Sequence, residues 1–145
     1  MTWVRFRNPG ERGSAAVDAA IGVPAFMLFV GLIIFGGRTA VAHQAVESAA
    51  ADSARSASIA RTGPAASDDA RDAARTSLTN QQLACVDISV AVDTGDFDKP
   101  IGTAGTVKVT VACRLDLSDL SVPGVPGSLV VRASMTSPLD SWRER

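Results

Sequence analysis

The 145-residue sequence has no tyrosine, a single histidine and only 5% aromatic residues. Active sites usually gather several titratable or nucleophilic side chains, and this composition supplies few of them. The 14 basic and 15 acidic residues give a net charge of −1, so no overall field attracts the chain to nucleic acid. We therefore expect neither an enzyme nor a protein that binds nucleic acid or a small-molecule substrate.

The motifs of common binding sites are missing as well. The sequence has no Gly-x-Ser-x-Gly elbow and no phosphate-binding glycine loop. His43 stands alone, whereas a metal site needs several ligands. Asp93, Asp96 and Asp98 alternate like the start of a calcium loop, but the glutamate that the EF-hand pattern requires near its end is absent. We expect no metal and no cofactor here, and an exposed polar hairpin loop at 93–105.

Charged residues are absent from the 19 positions between Ala19 and Gly37. About 20 apolar residues in a helix cross the roughly 30 Å hydrocarbon layer of a membrane. The sequence thus predicts a transmembrane helix at 14–37, with a kink at Pro24. The helical pattern continues to Arg61, which favours a retained anchor over a cleavable signal peptide.

The arginines around this run predict the orientation of the chain. Arg5, Arg7 and Arg12 precede the run, and only Arg38 follows it closely. The positive-inside rule therefore predicts a single-pass protein of the cell membrane, with its N-terminus in the cytoplasm and the rest outside. Residues 1–13 form a basic leader of local charge +2, which leaves −3 for the remainder.

An acid stands at the start of the apolar run. A carboxylate near the edge of a bilayer is costly unless it has a partner or reaches water. Asp18 is therefore either an interfacial residue in contact with headgroups or one half of an ion pair between subunits. The segment before it, Gly13-Ser14-Ala15-Ala16-Val17, resembles the processing site of type IV prepilin-like proteins, in which a membrane peptidase cuts after the glycine.

The wider stretch of residues 12–61 resembles the TadE/TadG-like family of tight-adherence (Flp-type) pilus assembly pseudopilins. The resemblance lies in the residues from Gly13 to Pro24, the apolar run, Phe35-Gly36-Gly37-Arg38, and the alanine-rich continuation. It implies a minor pseudopilin whose leader is removed between Gly13 and Ser14 and whose Asp18 pairs with the new amine of a neighbouring subunit. The implied partners are the membrane, other pilus subunits and a prepilin peptidase.

Two departures from the family pattern bear on this interpretation. The family's usual acid is glutamate, whereas Asp18 is one methylene shorter. No tyrosine follows the acid, as one does in major Flp pilins, which argues against the main filament subunit. The alternative is a signal-anchored binding module outside the cytoplasm whose leader is not processed.

The rest of the chain predicts a small α+β domain at 62–145, preceded by an extracytoplasmic helix at 38–61. That helix carries stripes of alanine that suit bundling with other subunits and docking on the chain's own sheet, and the two uses are compatible. Thr62-Gly63-Pro64 ends it, and Ser67 is the predicted N-cap of a short second helix to Leu83. Alternating apolar residues then predict a pilin-like antiparallel sheet of about three strands, at 85–92, 106–117 and 128–136.

Two cysteines, Cys85 and Cys113, both lie in the predicted extracytoplasmic part. An oxidising compartment favours one disulfide between them, and two free buried thiols are the alternative. The alternation poses one difficulty. Cys113 shares the apolar face of its strand, whereas Cys85 is out of phase with Val86 and Ile88.

Overall fold

The computed structural model describes residues 11–119, 124 and 127–140, with side chains from residue 17 onwards. Residues 1–10 of the predicted leader, and part of the connection after the second strand, lie outside the described residues. The elements confirm the predicted α+β class. In chain order they are α1 (Glu11–Ile59), α2 (Gly63–Asn80), β1 (Cys85–Asp93), a 3₁₀ turn (Gly95–Asp98), β2 (Thr106–Asp116) and β3 (Ser128–Pro138).

The longest element is α1, whose 49 residues correspond to about 74 Å at 1.5 Å per residue. It runs without a break through Pro24 and Arg38. Its N-terminal part stands apart from the other elements, and its C-terminal part packs on them. The predicted continuation of the apolar helix into the folded head is confirmed, and the kink at Pro24 stays a prediction.

The sheet has the order β1-β2-β3 and is antiparallel throughout. β2 is the central strand, and its alternation of valine with polar residues decides which face is buried. Val107, Val109, Val111 and Cys113 are fully buried, while Lys108 and Arg114 are exposed on the opposite face. The predicted strand and its inward face are both confirmed.

Both helices cover the inward face of the sheet. α1 lies over β2 and β3 and alongside α2, which contacts β1. The alanine stripes of α1 are buried in this packing, and small side chains of α2 meet them. Residues of this seam with 0–2% exposure are Ala42, Val46, Ala49, Ala50, Ser53, Ala54, Ala57, Ala66, Ala70, Ala74 and Leu78. The predicted docking of the stripes on the chain's own head is confirmed, and bundling with other subunits stays a prediction.

The second helix begins earlier than predicted. Its N-cap is Thr62, whose Oγ1 accepts a hydrogen bond from the amide of Ala65 at 3.3 Å, and Pro64 occupies the first turn. Proline is tolerated there because the missing amide has no partner inside the helix. Ser67 is therefore inside α2 and not its cap, and the helix ends at Asn80 instead of Leu83.

The first strand contains a β-bulge that the alternation could not indicate. The register with β2 shifts between Cys85 and Asp87, and an extra residue of this kind reverses the side-chain phase. Val86, predicted on the inward face, is 67% exposed, whereas Cys85 and Ile88 both pack against the core. The bulge removes the phase difficulty of Cys85.

The connection between β1 and β2 is more ordered than an exposed polar loop. Phe97 inserts into the core at 7% exposure. The Asp96 carboxylate accepts a hydrogen bond from the Thr106 amide at 2.9 Å and pairs with the Lys99 ammonium at 2.9 Å. Both hydrogen bonds lower the pKa of Asp96, and the one from Lys99 has the larger effect.

Candidate functional site

The predicted processing site lies in the first turns of α1. The backbone of Gly13 and Ser14 is helical, and the Ser14 side chain is outside the part of the chain whose side chains are described. Asp18 is exposed and has no ion-pair partner among the described side chains. Since residues four apart share one face of a helix, Ser14 and Asp18 lie on the same side of α1.

The helix that follows Asp18 is apolar on all sides, with none of its most apolar 18-residue stretch buried in the chain. A helix that is hydrophobic all round needs an apolar environment of its own. By length and composition it is the one candidate span among the described residues. Its large exposed side chains include Ile21, Val23, Phe26, Met27, Leu28, Phe29, Leu32, Ile33 and Ile34.

The junction between this apolar segment and the head is held by an ion pair. The Arg38 Nη1 lies 2.7 Å from the Asp119 Oδ2, with both side chains at least half exposed. One residue on, the Thr39 hydroxyl donates to the Phe35 carbonyl at 2.9 Å. No local pattern indicates the Arg38–Asp119 pair, because 81 positions separate the two residues.

A groove of about 500 Å³ opens beside this ion pair. It is bounded by the part of α1 that directly follows the apolar run, the turn between α2 and β1, and the end of β2. Most of its lining is apolar, and the residues are Gly37, Arg38, Val41, Ala42, Gln82, Leu83, Ala84, Leu115, Asp116 and Leu117. The sequence offered no sign of it, because three separate segments form its walls.

Cys85 and Cys113 form a disulfide, with their Cα atoms 5.5 Å apart. It joins β1 to β2 on the inward face of the sheet, where Cys113 is fully buried. The alternative of two free thiols was wrong. The bridge ties the edge strand β1 to the centre of the head.

A second groove, between α1 and α2, is polar. Asp52, Asp69 and Asp72 line it, and the Ser77 hydroxyl donates to the Asp52 carboxylate at 2.8 Å. Within the described part of the chain, no group of three or more His, Cys, Asp or Glu side chains is arranged to hold a metal ion. Of the alternating acids, Asp96 makes the local contacts described above, and the Asp93 carboxylate accepts a hydrogen bond from the Gly95 amide at 3.1 Å.

Comparison with known proteins finds a similarity in the N-terminal third of the chain. A family model described as TadE-like protein matches residues 13–55, which confirms the resemblance to the TadE/TadG-like family over that segment. The chain has no significant match among curated proteins or among solved structures. The matched segment contains the predicted processing site, the apolar run and most of the part of α1 that packs in the head.

Proposed function

We propose that this chain, whose residues 13–55 match the TadE-like model, is a minor pseudopilin. It is a non-enzymatic structural subunit that takes part in assembling a tight-adherence (Flp-type) pilus or a related secretion system. One observation carries the proposal: the matched segment is a single helix that joins an exposed apolar stretch to a folded head. In such a subunit, one continuous helix can hold the chain in the membrane and position the head against neighbouring subunits.

In this proposal, a prepilin peptidase removes the leader between Gly13 and Ser14. The α-amino group that is set free has a reference pKa near 8, so it is a cation at neutral pH. Asp18 of a neighbouring subunit neutralises it, and the low dielectric of the membrane strengthens the pair. The exposed position of Asp18, without an ion-pair partner among the described side chains of its own chain, supports this role.

The orientation places the leader in the cytoplasm and the head outside it. Three arginines before the apolar run support this direction. The Cys85–Cys113 disulfide supports it independently, because structural disulfides persist in oxidising compartments outside the cytoplasm.

Mass spectrometry of the protein isolated from membranes tests the processing step. In cells with an active prepilin peptidase, we expect a mature N-terminus at Ser14. Gly13→Leu should block the cut, because a bulky side chain hinders close approach of the peptidase, and Gly10→Leu is the matched control that should not. A native protein that keeps its first thirteen residues would instead support the signal-anchored binding module.

A second experiment separates processing from assembly. Asp18→Ala should leave leader removal largely intact but abolish incorporation into pilus assemblies, because the amine of the neighbour is left unpaired. Asp18→Glu keeps the charge and should retain incorporation, while Asp18→Asn should not. Normal incorporation of the alanine variant, measured by co-purification with the other pilus subunits, would refute the proposed pairing.

A further inference from the structure

The groove beside Arg38 lies at the height of the membrane surface if the apolar run spans the hydrocarbon layer. From Gly37, the last residue of the run, to Ala42, the first residue of α1 buried in the head, the helix rises about 7.5 Å. The polar headgroup layer on each side of a bilayer is roughly 5–8 Å thick. The lower end of the head is thus level with the headgroups.

The walls of the groove suit that environment. Val41, one turn beyond the run, is 62% exposed and lines the groove together with Leu83 and Leu117. A large contiguous apolar patch on a protein surface usually marks a site of contact with a partner or a membrane. Here the apolar surface continues directly from the exposed surface of the apolar helix, since Gly37 belongs to both.

The rim of the groove carries charges of both signs. Arg38 is held by Asp119 through one nitrogen, and its planar guanidinium has further donors. Asp116 also lines the groove. This combination of one cation and two carboxylates complements a zwitterionic headgroup, whose phosphate and ammonium lie close together, better than a purely anionic one.

We propose that the groove holds the upper part of a zwitterionic phospholipid from the leaflet that the head faces. Its first methylene groups contact Val41, Leu83 and Leu117, and its phosphate accepts hydrogen bonds from Arg38. The inference rests on the orientation in the proposed function but not on leader removal. It means that the head is seated on the bilayer surface and does not stand free of it.

Depth-dependent fluorescence quenching in nanodiscs tests whether the head lies on the bilayer surface in this way. The full chain is reconstituted at one copy per disc in zwitterionic phospholipid, with a quencher attached to the headgroup. A single added cysteine carries an environment-sensitive dye. Three native side chains of nearly equal exposure provide the sites: Val41 (62%), Ile101 (62%) and Phe29 (60%). Val41→Cys places the dye in the groove, Ile101→Cys at the opposite end of the head, and Phe29→Cys in the apolar run.

We expect the dye at position 41 to be quenched several times more strongly by the headgroup-level quencher than the dye at position 101. A quencher placed deep in the acyl chains should reach position 29. Arg38→Gln should weaken quenching at position 41, whereas Arg75→Gln, a matched change on the exposed side of α2, should not.

Each negative result rules out a different part of the proposal. In one such result, the headgroup quencher acts equally on positions 41 and 101 while the deep quencher acts on position 29. That result would show that the apolar run is in the membrane but that the head does not lie on the bilayer surface. If the deep quencher does not act on the dye at position 29, the apolar run is not in the membrane, and the proposed position of the head on the bilayer is wrong as well. If Arg38→Gln leaves the quenching at position 41 unchanged, the phosphate contact is wrong. A groove that is quenched only at one copy per disc, and shielded at higher copy number, would show that a second copy of the chain is the preferred occupant.

Discussion

At the scale of single residues, Asp96 fastens the turn after β1 to the start of β2. Its carboxylate accepts hydrogen bonds from Lys99 and from the Thr106 amide, and both lower its pKa from the ordinary value of 3.8. The ionised form is therefore favoured in the folded head. A lowered pKa contributes stability above the ordinary value, and that contribution is lost as the pH falls through the pKa of the folded state.

We expect Asp96→Asn to lower the thermal stability of the head at neutral pH and to flatten its decline on acidification below 3.8. Asp98→Asn is the matched control, because Asp98 is an exposed carboxylate of the same turn. Thermal unfolding of the full chain in mild detergent, followed by circular dichroism across the acid range, gives the comparison. An Asp96→Asn protein with the acid profile of the wild type would contradict this role.

The seam between the two helices is sensitive to side-chain volume. Ala70 is fully buried against α1, so Ala70→Leu adds atoms where no space exists. Overpacking of this kind typically costs about 1–3 kcal/mol. Ala73→Leu, on a half-buried position that borders the polar groove, should cost clearly less. Urea unfolding of both variants measures the difference, and equal losses would show that the seam is loosely packed.

At the scale of elements, the start of α2 allows a sharp test between the sequence pattern and the structure. Thr62 caps the helix through its Oγ1, and loss of a side-chain cap costs about 1 kcal/mol. Thr62→Ala should therefore destabilise the head by that amount. Ser67, whose hydroxyl donates to the Gly63 carbonyl inside the helix, should tolerate alanine with little change. The reverse order in urea unfolding would restore Ser67 as the cap.

The disulfide stabilises the sheet by joining its edge to its centre. The two cysteines are 28 positions apart, and closing a loop of this length stabilises a fold by roughly 3–4 kcal/mol in the chain-entropy estimate. Reduction of the wild-type protein should lower the free energy of unfolding by that amount. Cys85→Ala/Cys113→Ala should match the reduced protein apart from the small cavity at Cys113. Unchanged stability after reduction would show that packing alone holds β1.

The elements also show which features the sequence can predict. β2 follows from its own residues, because alternating valines specify one buried face regardless of their neighbours. The bulge at Val86 does not follow, since it exists only in the pairing of β1 with β2. Thr62-Gly63-Pro64 is ambiguous for a physical reason: the same residues that end one helix are favourable at the beginning of the next. The groove beside Arg38 depends on three distant segments, and no local pattern encodes it.

At the scale of the whole molecule, the apolar helix and the head share α1, so their relative rotation is fixed by the number of residues between them. Two alanines inserted after Gly37 would turn the head by about 200° relative to the apolar segment. We expect this variant to reach the membrane and fold but to lose incorporation into assemblies. The same insertion after Gly102, in the turn before β2, should be tolerated. Normal incorporation of the first variant would show that the head and the apolar helix make their contacts independently.

The absence of a break in α1 also has a mechanical consequence. The helix continues through Gly37 and Arg38, so no joint separates the folded head from the apolar segment. A pull or a twist applied to the apolar segment beyond Pro24 is therefore transmitted to the head through one continuous helix. Any motor complex that draws this subunit out of the bilayer would move the head in the same stroke.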